Sequence, residues 1–314
     1  MPIEIVKYSN KMKTQWDAFV NVSKNGTFLF LRDYMDYHSD RFNDYSLMFY
    51  RDNKLLALLP ANICDGGKRI VSHAGLTYGG FVLHPDVKAC DMIEFVGELK
   101  RVLQKNGIEQ LIYKPVPYIY NIVPSDEPLY ALFHAGARIS ARSISTTIDN
   151  QEPLNFSQLR PRCISKAVKA GIECRESDDY EKFWDILTTI LQARHESKPV
   201  HTKEEIELLH GKFPSNIKLY TACRQGEVVA GIVVYETVRT AHFQYIAASD
   251  EGCSMGALDM LISHLIENVY SCKRYIDFGT STEQNGTYLN EGLIKQKEGF
   301  GGRAVVYDTY ELNI

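Results

Sequence analysis

Residues 241–303 read AHFQYIAASDEGCSMGALDMLISHLIENVYSCKRYIDFGTSTEQNGTYLNEGLIKQKEGFGGR, and this stretch decides the fold. A strand-like run, residues 241–248, leads through a polar turn into a segment whose apolar residues recur at helical spacing. A second strand, residues 274–278, follows directly. Two strands joined by a helix of this length predict a right-handed crossover between parallel strands. Ligands of such units bind at the carboxyl ends of the strands and near helix N-termini.

The first half of the chain repeats this layout. In each half, 26 positions separate an acidic residue before the helix from an isoleucine in the following strand. A hairpin precedes each crossover, with turns at residues 51–54 and 224–227. The sequence therefore predicts an α/β fold with mixed sheets, built from two tandem modules, residues 1–150 and 151–314.

The composition is that of an ordinary globular protein, with 45% hydrophobic and 24% charged residues. A formal net charge of −4 argues against broad, non-specific nucleic-acid binding. No apolar run is long enough to span a bilayer, and residues 1–7 lack the zones of a signal peptide. Seven cysteines occur without a CxxC pair, which favours reduced thiols over a zinc site. We therefore expect a cytoplasmic protein without a bound metal or a membrane partner.

Short motifs in the second half resemble those of a known transferase family. They are RCISKAVKAG at residues 162–171, IDFG at residues 276–279 and GLIKQKEGFGG at residues 292–302. The order of hairpin, strand, helix, strand and final helix ending in Gly-Phe resembles the GNAT acyltransferase fold, and two such modules in tandem resemble the FemAB-related transferases. The resemblance implies acyl transfer, most simply of acetyl from acetyl-CoA, to the amine of a small acceptor such as an amino sugar or amino acid. It implies chemistry in the second module, with the first module shaping the acceptor side.

The resemblance leaves the donor open. GNAT relatives use acyl-CoA, whereas the peptidoglycan branch of the FemAB proteins uses aminoacyl-tRNA. The nearest alternative is therefore an aminoacyl-tRNA-dependent peptidyltransferase of cell-wall synthesis, although a bound tRNA needs a positive channel and the net charge is −4. An alternative from another class is a non-catalytic binding module on the same fold.

The turn after the strand at residues 241–248 corresponds to the phosphate loop of GNAT proteins. Its small residues would let backbone N–H groups approach a pyrophosphate. Asp250 and Glu251 stand near the position of the basic residue in the ordinary loop, and helix capping by Ser249 or Asp250 is the alternative role. The predicted residues for binding acyl-CoA are Ala248, Ser249, Gly252, Cys253, Ser254, Met255, Gly256 and Ala257.

Five residues are candidates for catalysis. By resemblance, Lys297 takes the place of a functional lysine of FemAB-type enzymes, and Lys295 that of the tyrosine which protonates the leaving thiolate in many GNAT enzymes. A cation there would stabilise developing negative charge, with Tyr288 as a nearby proton donor, but a lysine on an amphipathic helix more often faces solvent. His195 and His201 follow a predicted helix in a polar loop and are acid/base candidates or ordinary surface histidines.

The candidates for substrate binding share polar or aromatic character near the predicted site. Three basic residues lie on one face of a predicted helix, where they could bind a phosphate or carboxylate or form a solvated face: Arg162, Lys166 and Lys169. Five residues lie on or just after the two predicted parallel strands: Gln244, Tyr245, Asp277, Ser281 and Glu283. Five more in the first module would form the acceptor wall if the modules face each other: Tyr34, His38, Arg41, His73 and Tyr78.

Overall fold

The computed structural model describes residues 2–195 and 198–314, except for the side chains of residues 194 and 195. The chain forms two compact units. Unit 1 comprises Met1–Ser143, Glu283–Tyr288 and Val306–Ile314, and unit 2 comprises Ile144–Thr282 and Leu289–Val305. The sequence predicts two continuous modules, whereas both units are discontinuous because the last part of the chain is divided between them.

The bounds of the regular elements are as follows. The strands are β1 (Glu4–Lys7), β2 (Asn43–Asp44), β3 (Leu47–Arg51), β4 (Lys54–Leu59), β5 (Asn62–Cys64), β6 (Arg69–Val71), β7 (Val82–Leu83), β8 (Gln110–Tyr113), β9 (Arg138–Asp149), β10 (Ile172–Ser177), β11 (Ile217–Arg224), β12 (Glu227–Glu236), β13 (Thr240–Ala248), β14 (Tyr275–Thr280), β15 (Thr282–Glu283), β16 (Tyr288–Leu289) and β17 (Arg303–Asn313). The α-helices are α1 (Lys13–Val22), α2 (Arg32–Met35), α3 (Ala89–Lys105), α4 (Glu127–His134), α5 (Leu159–Lys169), α6 (Tyr180–His195), α7 (Lys203–Lys212), α8 (Asp250–Met255), α9 (Ala257–His264) and α10 (Glu291–Glu298).

Unit 1 contains the predicted hairpin and helix of the first half. β3 and β4 pair in antiparallel fashion, inside the sheet order β1-β3-β4-β7. The hairpin turn residues Asp52 and Asn53 have φ of 55° and 61°, the left-handed conformation that a tight hairpin turn requires. α3 buries one apolar stripe against the core of this unit.

The strand pairing predicted for the first crossover is wrong. β8 pairs in parallel with β6, while β7 pairs antiparallel with β4. The side chain of Tyr113, on β8, explains this, because its hydroxyl accepts a hydrogen bond from the N–H of Phe81 at 2.9 Å. A Cβ on Gly80, whose φ is +81°, would lie 2.6 Å from the same hydroxyl oxygen. A side chain thus fills the space that ladder hydrogen bonds between β7 and β8 would need.

Unit 2 is built on strands in the order β10-β11-β12-β13-β14-β9. β13 and β14 are parallel, as the sequence predicts, and the neighbouring pairs are antiparallel. α5 and α9 pack against one face, in a core that includes Ile232 and Phe243. α6 packs on the opposite face, where Phe183 lies against Gly231 so closely that a Cβ there would be 2.3 Å from its ring. Both faces of the central strands are therefore covered, which explains their continuous apolar runs.

The single long helix predicted after β13 is interrupted. Gly256 has φ +77° and separates α8 from α9, and a π-helical turn, Leu265–Val269, follows α9. A Cβ on Gly256 would lie 2.4 Å from the carbonyl oxygen of Cys163, so a close approach to α5 requires glycine here. All seven cysteines are free thiols. None of the helices in the described ranges has the length and hydropathy needed to cross a membrane.

Candidate active site

The two parallel strands of unit 2 separate after three residue pairs, and the candidate site lies at this separation. The register between β13 and β14 runs from Thr240 to His242 on β13. On its other edge β13 stays paired with β12 as far as Ala248, and a β-bulge leaves Gln244 without a partner in that register. Among the strands described, none pairs with the β14-facing edge of β13 beyond His242.

A cavity of about 330 Å³ occupies this separation. Its lining is mostly apolar and includes Leu187 of α6, Leu258 of α9 and Phe278 of β14. Polar character comes chiefly from Gln296 and Lys297 of α10. A concave, largely apolar cavity with few polar groups is the usual form of a small-molecule site.

Lys297 is the charged group of this cavity. α10 begins where Asn290 Oδ1 accepts a hydrogen bond from the N–H of Leu293 at 3.0 Å, which sets the direction of the helix. The side chain is 5% exposed, and Nζ donates hydrogen bonds of 2.8 Å to the carbonyl oxygens of Gly279 and Thr280, at the end of β14. Burial lowers the pKa of Lys297 from 10.5 to about 8, while the charge of Asp277 opposes this change. A cation is thus held beside an apolar cavity, where its field is weakly screened.

The turn between β13 and α8 is a capped helix start. Ser249 Oγ accepts a hydrogen bond from the N–H of Gly252 at 3.0 Å, and its carbonyl oxygen accepts one from the N–H of Cys253 at 2.8 Å. A Cβ on Gly252 would lie 2.2 Å from the carbonyl oxygen of Val229, so packing on β12 also accounts for this glycine. The predicted cap by Ser249 is therefore present, and these two N–H groups already have acceptors.

The remaining residues of the predicted donor loop divide between the cavity, the core and the surface. Ala248 and Cys253 line the cavity. Met255 and Ala257 are buried in the core of unit 2, and Ser254 Oγ donates a hydrogen bond to the carbonyl oxygen of Glu251. A role of these residues in binding a donor stays a prediction.

A buried charge network lies where β13 and β14 are still paired. Asp277 is fully buried, and its Oδ1 accepts hydrogen bonds from the hydroxyls of Ser145 at 2.5 Å and Thr147 at 2.9 Å. Its Oδ2 lies 2.7 Å from Nδ1 of His242, the residue beside it in the parallel register. The predicted Asp277 therefore has a structural environment that explains a carboxylate on a buried strand.

Residues 161–287 match the family model described as an acetyltransferase (GNAT) domain. The protein carries a GNAT acyltransferase domain. Three solved structures have a similar fold. FemX has 11% sequence identity and a TM-score of 0.68, over 99% of this chain and 97% of its own. L-PGS from Bacillus licheniformis has 12% sequence identity and a TM-score of 0.61, over 95% of this chain and 90% of its own. A tandem GNAT protein from the clavulanic acid biosynthesis pathway has 12% sequence identity and a TM-score of 0.50, over 99% of this chain and 98% of its own.

At these identities the structural likeness shows a shared fold. No curated protein has a matching sequence. The predicted GNAT resemblance and the enzyme class are confirmed by the domain match, and the likeness to FemX and to a tandem GNAT protein confirms the mixed α/β fold. The donor and the acceptor are not decided by these matches.

Three of the other catalytic candidates are absent from the cavity lining: Lys295, Tyr288 and His201. Lys295 projects from the exposed face of α10, 71% exposed, and pairs with Glu291 at 2.7 Å. Tyr288 is 51% exposed and belongs to the segment Glu283–Tyr288 of unit 1. His201 is buried, with Nδ1 2.5 Å from the hydroxyl of Tyr245. The side chain of His195 lies outside the described ones.

The polar substrate candidates have different environments. Arg162, Lys166 and Lys169 are exposed along α5, as a solvated face would be. Gln244 Oε1 is buried and has no hydrogen-bond partner among the described residues, and the same is true of Ser281 Oγ. Glu283 is exposed. Gln244 and Ser281 therefore have unused hydrogen-bonding capacity, whereas Tyr245 is engaged by His201.

The predicted acceptor group of unit 1 is mostly a packed cluster. Four of its members are buried: Tyr34, His38, His73 and Tyr78. The rings of His38 and His73 stack with centroids 5.3 Å apart, and burial lowers the pKa of His73 to about 3. Arg41 is exposed and its guanidinium lies 5.6 Å from the ring centroid of Tyr37. Acceptor binding by these residues stays a prediction.

His242 is the residue that sequence reasoning missed. Its neighbours on β13 form a strand-like, largely apolar run, which predicts a buried strand position and no site residue. The available signal was the parallel crossover itself, because the predicted pairing brings residue 242 beside residue 277. A histidine and an aspartate on facing positions of two parallel strands are within reach of each other.

Proposed function

We propose that the protein transfers an acyl group, most simply acetyl from acetyl-CoA, to the amine of a small acceptor such as an amino sugar or amino acid. The observation that carries this proposal is the buried ammonium of Lys297 in the cavity between β13 and β14. Two further features support it. The cavity is apolar enough for a short acyl chain, and the β14-facing edge of β13 presents backbone groups to an amide-containing chain such as that of a thioester donor.

Lys297 would act on charge that develops during the transfer. Attack of an amine on the acyl carbon places negative charge on the carbonyl oxygen and then on the leaving sulfur or oxygen. An ammonium already held by two carbonyl oxygens needs little reorganisation to stabilise that charge. Loss of one such stabilising group typically lowers kcat by about 10²–10³-fold.

An aminoacyl donor is the second candidate, and the capped turn favours it. The N–H groups of Gly252 and Cys253 already have acceptors in Ser249, and Asp250 and Glu251 begin α8. A pyrophosphate there would lie beside the carboxylates of Asp250 and Glu251, of which Glu251 pairs with Arg224 at 2.8 Å. By the family resemblance, FemAB-type proteins accept their acyl group from aminoacyl-tRNA, and FemX and L-PGS have similar folds.

The proposal is tested by incubating the purified full chain with acetyl-CoA and a panel of amines while thiol release is followed. Calorimetry with CoA gives a separate measure of donor binding, and a parallel reaction with charged tRNA tests the second candidate. Lys297→Met is expected to lower kcat about 100-fold or more, whereas Lys295→Met, on the exposed face of the same helix, should stay within twofold. Absence of both CoA binding and thiol release would remove acyl-CoA as the donor, and transfer from neither donor would refute the proposal.

A further inference from the structure

The pair formed by His242 and Asp277 has the geometry of a histidine held for proton transfer. Asp277 is fully buried and engages Nδ1 of His242 at 2.7 Å. The hydroxyls of Ser145 and Thr147 fix the carboxylate from β9, so its orientation does not depend on the histidine. A carboxylate that accepts the Nδ1 proton leaves Nε2 as the basic nitrogen of a neutral imidazole.

Nε2 of His242 remains available for a further contact. It has no hydrogen-bond partner within residues 2–195 and 198–314, and a tenth of the side chain is exposed. The ring lies beside Gly279, since a Cβ there would be 3.4 Å from Cε1. Gly279 is also the residue whose carbonyl oxygen accepts a hydrogen bond from Lys297. A base and a cation thus flank one glycine at the end of β14.

Side-chain direction separates the two groups from the apolar core. Phe243 and Phe278 pack on each other in the core that α5 and α9 cover. Successive residues of a strand face opposite sides, so His242 and Asp277 face the other side. The acceptor amine would therefore approach the separation of the strands from the side of His242, while the acyl donor occupies the cavity beside Lys297.

We propose that His242 is the general base that takes the proton from the acceptor amine, and that Asp277 is the residue that positions it. This inference rests on the proposed acyl transfer and names the base, which the family match leaves unassigned. The amine nitrogen forms a bond to the acyl carbon, and its proton passes to Nε2 of His242. The bond from the acyl carbon to the donor sulfur or oxygen breaks, and its electron pair leaves with the donor, next to the ammonium of Lys297.

The groups that face His242 are consistent with this role. Asp277 is beside it on β14, and Tyr235 is opposite it in the register of β12. Lys297, on α10, donates a hydrogen bond to the carbonyl oxygen of Gly279, and its charge interacts with that of Asp277. His201, the histidine predicted from the sequence, is less suited because its Nδ1 lies against the neutral hydroxyl of Tyr245, which stabilises an imidazolium less than the carboxylate of Asp277 does.

The test compares variants of the full chain that separate the two roles. His242→Asn keeps an amide N–H close to the position of Nδ1, for the contact with Asp277, and removes Nε2. It should lower kcat/KM for the amine by about 10²–10⁴-fold and remove the limb of the pH profile that reports the base, while donor binding by calorimetry is unchanged. Asp277→Asn should lower the rate and displace that limb, and His264→Asn, at the end of α9, serves as the matched histidine control.

A measurement on the unmodified protein protects the test against a variant that fails to fold. ¹⁵N NMR of the imidazoles should show His242 as the tautomer protonated at Nδ1, with that signal altered in Asp277→Asn. A wild-type chain that transfers acyl groups while His242→Asn keeps the rate and pH profile would overturn the base alone, as would a His242 protonated at Nε2. A wild-type chain inactive with every donor would refute the acyl transfer and the base with it.

Discussion

Replacing Lys297 by methionine should change how the stability of the protein depends on pH. The folded chain holds this amine at a pKa of about 8, against 10.5 when it is exposed. Between these values the unfolded chain binds more protons than the folded one, so wild-type stability rises with pH. The difference corresponds to about 3 kcal/mol, fully gained only above the higher pKa. Methionine has a similar length and no titratable group, so the variant should lack this gain.

The assay is chemical unfolding of both proteins at pH 7 and near pH 11. We expect the free energy of unfolding of the wild type to improve relative to Lys297→Met by about 3 kcal/mol over this interval. Lys295→Met is the control, because the exposed Lys295 side chain pairs with Glu291 and is not buried. A difference between wild type and Lys297→Met that stays constant with pH would refute the burial of a charged Lys297.

Three other substitutions test separate parts of the structure. Gly256→Ala must place a Cβ 2.4 Å from the Cys163 carbonyl oxygen at φ +77° and should lower the stability by about 1–3 kcal/mol in thermal unfolding. Gly211→Ala, on α7 where a Cβ meets no neighbour within 4 Å, should stabilise slightly, and equal effects of the two variants would contradict the close approach. His73 has a pKa lowered to about 3 by burial, so the free energy of unfolding of the wild type should fall by about 3 kcal/mol between pH 7 and pH 4. His73→Asn, which is compatible with φ 63°, should show a smaller fall when urea unfolding is measured at these two pH values. Asn290→Ala removes the cap of α10 and should cost about 1 kcal/mol and lower kcat through Lys297, while an unchanged melting temperature would exclude a role for the cap.

The sequence was a good guide wherever a local pattern determines the structure. The hairpin at Asp52 and Asn53 and the parallel pair of β13 with β14 follow from turn residues and from periodicity. Lys297 is predicted from its place before the Gly-Phe stop, and the structure places it in the cavity lining, while its catalytic role stays a prediction.

The missed features depend on contacts between distant segments. The pairing predicted for the first crossover is wrong because Tyr113 inserts its ring from another strand, and no local pattern in the sequence indicates this contact. The glycines of the donor loop resemble a phosphate-binding motif, yet Gly252 and Gly256 are also required by carbonyl oxygens of Val229 and Cys163, far away in sequence. Spacing alone cannot distinguish a glycine that admits a ligand from one that admits a neighbouring backbone.

The bulge at Gln244 means that β13 changes parity along its length. Val234 is opposite Phe243 and Val233 is opposite Tyr245, so the intervening residue is skipped. His242 and Tyr245 consequently share a face although an odd number of positions separates them. Deleting Gln244 would preserve the orientation of every other side chain on the strand, whereas deleting Phe243 or Tyr245 would move Gln244 into the vacated core or site position. Tolerance to a change in strand length should therefore be concentrated at this one residue.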